Sequence, residues 1–496
     1  LESHPESSLR VGLELPNPYL PSRVIDVGSI SDPLSKLFEP SSITWEQYVT
    51  LSYCWGRDHF TTTTLSNIES HKESLDWPTL PQTFKDSIQT TRNLGFRYLW
   101  IDALCIIQDS DEDKAKEIGR MGDIYNNATF TIAVVGASRV AEGFLRTKPK
   151  LSVEIPYRCP NGEMGLVRVA PQREVDLWLE SLFTRAWCLQ ENLLSPRLLL
   201  YTDTEVIWQC ESAPIKRPDT THVAYVRADP KLGRSPFRRL PANILTPVKT
   251  SNEAEDGSAD AERYQIWRSL VENYTRRRLT VASDRLPALS GIAQKFKEAW
   301  SDELYAGHWK RQFIPLLSWR RSNMKDQGYY PPLLDYRAPS WSWASIDGPI
   351  EFDFRFDLGN VRGLGAKLIT CEFDMDSKEK DFAVIEASMI PVREIPDPDN
   401  PARGMVYLDD HREDTWPRFS DRLSHLNDEM MGLTWCMLLG EGKSGSGKQM
   451  KTIGLLVMEA QGTPDAYSRI GLYESYVKGT SKLWVGPEKR KIVKII

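Results

Sequence analysis

Tyr98-Leu-Trp-Ile-Asp-Ala-Leu-Cys-Ile-Ile107 decides how the rest of this chain reads. Apart from Asp102 the run is apolar, with no alternation of wet and dry positions, so it does not suit a strand with one face in water. Runs of this kind belong in a parallel sheet covered on both faces. Two more runs of similar texture flank it. Upstream, Tyr48-Val-Thr-Leu-Ser-Tyr53 is β-branched and aromatic and ends in Cys54-Trp-Gly56, a buried strand entering a tight turn. Downstream, Thr129-Phe-Thr-Ile-Ala-Val-Val135 reads as a third buried strand.

Helical patterns separate these strands. Pro81 opens a helix with Phe84, Ile88, Thr91 and Leu94 at helical spacing and Gly95 where a C-terminal cap belongs. Ser110-Asp-Glu-Asp113 has capping-box spacing, and Ile118, Met121, Tyr125 and Ala128 continue as one helix face. Strand, helix, strand, helix, strand is the order that builds a parallel α/β sheet. Residues 57–80 read as polar loop, and residues 138–182 as a loop carrying a β ribbon over 152–170. Arg185–Leu194 reads as a helix stopped by Ser195-Pro196, and Leu198–Tyr201 with Val206–Cys210 as a hairpin.

At about 150 residues per domain, 496 residues predict two or three domains. The expected division is an N-terminal Ser/Pro-rich segment with a β ribbon (1–46, β-like at Arg23–Val27) and an α/β domain (47–210). A loop and helical connector follows (211–300), with a Ser/Asp/Glu-rich patch at 251–262 and helices over Tyr264–Thr275 and Leu286–Trp300. The remainder (301–496) reads as mainly β, with aromatic-rich strands at Pro339–Ala344, Phe382–Ile390 and Leu433–Glu459. Hydrophobic residues make up 41% of the chain, with 16 tryptophans, enough to fill sizeable cores.

A net charge of −6 gives no chain-wide basic field, so no nucleic-acid partner is expected. The seven cysteines form no C-x-x-C pair and mostly sit in apolar runs, as reduced buried thiols of a cytosolic protein would. Leu1 opens no signal-peptide pattern, and no apolar stretch reaches the ~18 residues of a spanning helix. The chain reads as soluble and cytoplasmic, with no membrane span.

Several motifs are decoys. Gly442-Lys-Ser-Gly-Ser-Gly447-Lys448-Gln449 approaches a P-loop, but Gln449 replaces the magnesium-binding hydroxyl, and a strand rather than a helix follows. A glycine-rich hairpin turn accounts for it. No H-E-x-x-H, Cys/His cluster or G-x-S-x-G elbow occurs, so no metal and no cofactor are expected.

In open parallel sheets ligands bind beyond the carboxyl ends of the strands. Here those ends hold Ser52, Tyr53, Trp55 and Gly56 after the first strand and Asp102 in the second. An ionised Asp102 in so apolar a run needs a partner. Arg185, a backbone cap or a bound ligand would each serve. Glu191 follows Trp187 by one helical turn, so the two share a helix face. A carboxylate beside an indole suits ribose hydroxyls or an oxocarbenium-like transition state, while an exposed helix glutamate is the plain alternative.

These stretches together resemble the successive signatures of fungal HET (heterokaryon incompatibility) domains. The resemblance runs through Pro21-Ser-Arg-Val-Ile-Asp-Val-Gly28, Leu51–Gly56, Leu99–Asp109, Met121–Ala128 and Arg185–Glu191. Ser283–Ala293 and Pro339–Ala344 resemble the region that follows such domains. The resemblance implies a role in fungal non-self recognition and cell death. HET domains are also similar to TIR domains, some of which cleave NAD⁺, and Trp187-Cys-Leu-Gln-Glu191 is similar to the plant TIR stretch whose glutamate is catalytic. It therefore implies a TIR-like (flavodoxin-like) sheet, NAD⁺ or a related nucleotide as substrate, and Glu191 as the catalytic residue. Ser52, Tyr53, Trp55, Gly56, Asp102, Arg185 and Trp187 would line the pocket. The rival expectation is a non-catalytic module that assembles with itself or with an incompatibility partner protein.

Overall fold

The computed structural model describes residues 19–146, 153–169, 180–203, 205–210, 213–216, 257–322, 336–352, 361–374, 381–392, 404–408, 432–443, 450–460, 462–475, 486 and 489–496. The chain divides into two compact units, one of Leu1–Leu240 with Pro287–Ile292 and the other of Pro241–Leu286 with Ala293–Ile496.

The first unit is an α/β sheet of eight strands: β1 (Val24–Asp26), β2 (Lys36–Phe38), β3 (Tyr48–Ser52), β4 (Tyr98–Trp100), β5 (Phe130–Val134), β8 (Arg197–Tyr201), β9 (Val206–Cys210) and β10 (Ala213–Lys216), with β6 (Val153–Arg158) and β7 (Met164–Val169) pairing apart from it as a ribbon. Its order is β10-β9-β8-β5-β3-β4-β1-β2. The expected parallel sheet is corrected to a mixed one. Only β8, β5, β3 and β4 run parallel; β1 and β2 add antiparallel beyond β4, and β9 and β10 beyond β8. Of the parallel four, β3, β4 and β5 are buried at every position, as strands covered on both faces are. In chain order the parallel strands lie second, first, third, fourth, so the winding reverses between β3 and β5.

Helices α1 (Ile68–Glu73), α2 (Gln82–Asn93), α3 (Asp102–Cys105), α4 (Asp111–Asn127) and α5 (Trp187–Leu194) complete this unit. Two sequence expectations change here. Residues 57–80, expected as loop, contain α1 and a 3₁₀ turn at Trp77–Thr79. The apolar run from Tyr98 leaves the sheet at Trp100, and Asp102 opens a helical turn in place of continuing the strand. The caps follow the sequence: the Ser110 hydroxyl accepts from the Asp113 amide at 3.2 Å, and Gly95 takes φ +80° after α2.

Strand alternation sends Tyr48, Thr50 and Ser52 to one face. Tyr48 donates its hydroxyl to the Ile124 carbonyl at 2.7 Å, which places α4 on that face; α5 packs against α4. Tyr53 meets Phe84 of α2 edge-on at 5.3 Å on the other side. A fully buried chain of hydroxyls ties the sheet to α5: Thr50 with Thr131 at 2.6 Å, Thr131 with Ser195 at 2.6 Å, and Ser195 donating to the Glu191 carbonyl. Each hydroxyl has one proton. Because Ser195 spends its own on a carbonyl, Thr131 must donate to Ser195 and Thr50 to Thr131.

The ribbon of β6 and β7 pairs Val153 with Val169, Ile155 with Val167 and Tyr157 with Gly165, which makes one of its faces apolar throughout. Val153, Ile155, Tyr157 and Val167 on that face are exposed.

The second unit is mainly β. Its helices are α6 (Gly257–Thr275), the greater part of α7 (Pro287–Trp300) and α8 (Phe313–Leu316). Short hairpins β11 (Leu304–Tyr305) with β12 (His308–Trp309) and β13 (Trp319–Arg321) with β14 (Ile350–Phe352) precede a larger sheet. That sheet comprises β15 (Val361–Leu364), β16 (Ala366–Glu372), β17 (Phe382–Pro391), β18 (Gly404–Leu408), β19 (Thr434–Lys443), β20 (Met450–Glu459), β21 (Ala466–Ser475) and β22 (Arg490–Ile495). Its order, β15-β19-β20-β21-β22-β17-β16, closes on itself because β17 also pairs with β19. Alternate residues such as Ile385, Ala387, Met389, Leu455, Val457, Val493 and Ile495 fill the interior. Pro339–Ala344, expected as a strand, is a turn running into the 3₁₀ segment Trp343–Ser345, with Trp341 and Trp343 fully buried. Of the near P-loop at 442–449, Gly442 and Lys443 end β19 and 444–449 lie outside the described residues; β20 is the strand expected after it.

Thr131→Val removes the middle link of the hydroxyl chain at nearly constant volume and leaves Thr50 and Ser195 short of a partner. Urea unfolding should show the first unit destabilised by about 1–3 kcal/mol, with Thr131→Ser closer to wild type. Equal midpoints for the valine variant and wild type would show that the chain contributes nothing.

Candidate functional site

The carboxyl ends of β3, β4 and β5 gather the residues singled out above. Ser52 ends β3, and its register neighbour on β5 is Ala133, whose small side chain leaves room beside the Ser52 hydroxyl. Glu191 fills that room. Its carboxylate accepts a short hydrogen bond from Ser52, and it is only 5% exposed. It is therefore not the exposed helix glutamate that its sequence neighbourhood alone allows. The Cys188 sulfur lies 3.9 Å from the same Ser52 hydroxyl, one turn earlier on α5. Trp187, on the same helix, is half-buried.

Asp102 sits at the first turn of α3, half-buried. Its Oδ1 accepts from the Tyr53 hydroxyl at 2.9 Å and from the Ala103 amide at 2.7 Å, and its Oδ2 accepts from the Trp55 indole at 2.9 Å. Of the partners left open by the sequence, a backbone amide is used, and two aromatic donors complete it. Trp55 then meets Phe60 edge-on at 5.4 Å, and Phe60 meets Phe84 at 5.7 Å, continuing the aromatic wall that Tyr53 begins.

Arg185 precedes α5 and donates a short hydrogen bond to the Tyr53 carbonyl. Burial disfavours its charge, but Cys188, Glu191, Cys54 and Asp102 surround it and hold its pKa above the ordinary arginine value. Burial in turn pushes the Glu191 carboxyl up, against the opposing pull of Arg185 and Ser52. Asp102 is raised for the same reason, against Tyr53, Arg185 and Trp55. Cys54 is pushed to about 11 by burial, despite Arg185, which leaves it a thiol at neutral pH. The arrangement is two carboxyls with depressed acidity within the field of one guanidinium.

Gly56 takes φ +77°, and a Cβ there would stand 2.8 Å from Arg139 Cγ. Its role is close approach of the β3 loop to the loop after β5. The Val140 amide donates to the Trp55 carbonyl at 3.3 Å and fastens the two loops together. Farther along, Asp86 of α2 accepts from the Phe144 and Leu145 amides at 2.6 and 3.0 Å. Sequence reasoning passed over Thr50, Thr131, Ser195, Cys188 and Arg139. Hydroxyls set inside apolar strand runs, Thr50 in Tyr48-Val-Thr-Leu and Thr131 in Phe130-Thr-Ile, were the available signal for the first two. Among the described residues no group of three or more His, Cys, Asp or Glu could hold a metal ion, and no helix is long and apolar enough to cross a membrane. The seven cysteines are free, six of them buried.

Fold and site thus define an α/β domain with a buried acid at the point where the strand winding reverses. Residues 48–191 match the family model described as heterokaryon incompatibility protein (HET), and the chain carries that domain. The matched region opens on the first residue of β3 and closes on Glu191. It supports a heterokaryon incompatibility role. No curated protein and no solved structure matches the chain.

The raised pKa has a signed consequence. Folded Glu191 keeps a proton that unfolded Glu191, near the usual 4.5, has released, so its contribution to stability is full below that value and lost as pH rises through the raised one. Glu191→Gln removes that loss. Melting curves from about pH 4 to 8 should fall less steeply for the variant, which at neutral pH should melt roughly 2–4 °C higher. Parallel profiles for the two proteins would mean that Glu191 titrates as an ordinary surface acid.

Proposed function

We propose that this chain is a cell-death effector of fungal non-self recognition whose HET domain hydrolyses NAD⁺ or a related pyridinium nucleotide through a TIR-like site, with Glu191 as the catalytic residue. The observation that carries the reading is the buried Glu191 carboxyl, fixed by Ser52 at the reversal point between β3 and β5. Doubly wound sheets bind nucleotides at that point. The second-first-third-fourth order of the parallel strands further supports a flavodoxin-like, and hence TIR-like, reading of the sheet.

In this reading a pyridinium ring brings a positive charge next to Glu191 and favours its ionised form. The N-glycosidic bond then breaks, its electron pair passing to the ring nitrogen, which becomes neutral. Positive charge develops on the ribose, and the carboxylate stabilises it. Water adds to the ribose carbon and releases one proton, giving ADP-ribose and nicotinamide. Trp55 and Trp187 offer ring faces to the base. Ser52 orients Glu191, and Asp102 acts through Tyr53 and Trp55, whose positions it fixes.

A second reading, a non-catalytic module that signals by assembling with itself or a partner protein, draws on one observation: both Asp102 oxygens are occupied by the protein's own donors.

Incubating the full chain with NAD⁺ should release nicotinamide, and Glu191→Ala should lower the rate about 10²–10³-fold. Undiminished release by the variant sinks the assignment of Glu191. Absence of release by wild type, with cell killing retained by Glu191→Ala on induced expression in a fungal host, establishes the second reading.

A further inference from the structure

The acid-lined interior of the site poses a charge problem for a nucleotide. Glu191 and Asp102 suit a cationic base, but phosphates need a cation, and Arg185 is turned inward to the Tyr53 carbonyl. The loops at that end of the sheet, residues 53–60, 101–109 and 135–146, contribute three further arginines: Arg57, Arg139 and Arg146. Arg57 is exposed. Arg146 is engaged by Glu142 in a hydrogen-bonded pair at 3.1 Å and stands 4.0 Å from Asp203.

Arg139 differs from both. Its stem lies flat against Gly56, where an added Cβ would come within 2.8, 2.9 and 3.1 Å of Arg139 Cγ, Cβ and Cα. The hydrogen bond from Val140 to Trp55 holds the same contact from the next residue. The guanidinium beyond that clamped stem is 56% exposed. Its acidic neighbours are Asp58 at 3.7 Å and Glu142 at 3.5 Å, both beyond the length of a charge-assisted hydrogen bond. Loose ion pairs of this kind contribute little and exchange readily. The backbone thus places a loosely paired cation where the loops after β3 and β5 meet, against Gly56 and next to the indole that Asp102 orients.

Building on the nucleotide-hydrolase reading, we infer that Arg139 is the phosphate-recognising residue of this site and makes it prefer phosphorylated ribosides to the free nucleoside. Arg139 receives a phosphate oxygen while the base enters toward Glu191, and Gly56 is required because any side chain there would displace the arginine stem. Arg139 makes no bond to the reacting atoms. It acts on affinity and choice of substrate.

Calorimetric titration of this 496-residue chain with ADP-ribose and with nicotinamide riboside, which lacks phosphate, tests the assignment. Arg139→Gln should weaken ADP-ribose binding about tenfold or more, leave riboside binding unchanged, and flatten the loss of ADP-ribose affinity with added salt. Arg139→Lys should keep part of the affinity, and inorganic phosphate should compete with ADP-ribose in wild type but not in the glutamine variant. A melting temperature equal to wild type confirms that Arg139→Gln is folded. Equal ADP-ribose affinity in wild type and Arg139→Gln overturns the assignment, as does failure of wild type to bind ADP-ribose. The outcomes separate from those of the hydrolase reading. Nicotinamide release with an unchanged KM for NAD⁺ in Arg139→Gln would reject the phosphate site alone. Arg139-dependent binding without nicotinamide release would reject hydrolysis alone.

Discussion

Seating a carboxyl group in the interior is the constraint around which the first unit is organised. Glu191 lies almost wholly out of water, where a charge is expensive and even a neutral acid needs partners. Ser52 meets the side chain, and the Thr50–Thr131–Ser195 chain meets the backbone of the same residue. Both devices begin two residues apart on β3 and point to the same face, so a single strand fixes the acid at both ends. The direction of the hydroxyl protons is forced by the carbonyl at the end of the chain. Such a chain is cooperative, since removing one member leaves its neighbours with unmet hydrogen bonds.

Asp102 shows the complementary solution. It too leaves an apolar run, but it turns the chain out of the sheet and caps its own helical turn through the Ala103 amide. Its remaining capacity goes to Tyr53 and Trp55, which belong to the loop after β3. One acid is thus held by the sheet, and the other holds the loop. Arg185 lies within electrostatic reach of both and keeps the pair from repelling each other freely.

Much of this was legible in the residues. The runs at 48–53, 98–107 and 129–135 marked the parallel strands because full burial erases the polar alternation that other strands show. Pro81, Gly95, Ser110 and Pro196 marked helix ends because their backbone chemistry is local. What stayed hidden depends on partners distant in sequence. Asp102 reads as a strand interruption until Ala103, Tyr53 and Trp55 are seen to converge on it. The antiparallel flanks β1, β2, β9 and β10 are short, and nothing local states which edge a short strand will join. The closure of β17 onto both β22 and β19 is likewise a matter of register, across 44 to 48 residues to β19 and 102 to 112 to β22. Pro339–Ala344 misleads for a different reason: tryptophans favour strands on average, but Trp341 and Trp343 are buried from a turn.

The ribbon of β6 and β7 lies in the long excursion between β5 and α5, with its apolar face exposed. Loop closure depends only weakly on length, so α5 can dock across this excursion at little more entropic cost than across a short turn. The ribbon shares no strand pairing with the main sheet, and two strands alone are marginally stable in water. Its strand β6 is exposed at every position, whereas β3 and β5 are buried at every position, and burial of this kind is what guards strand amides against local opening. One matched region therefore holds two kinds of strand, those buried in the sheet that carries the acid and those of a solvent-washed ribbon outside it.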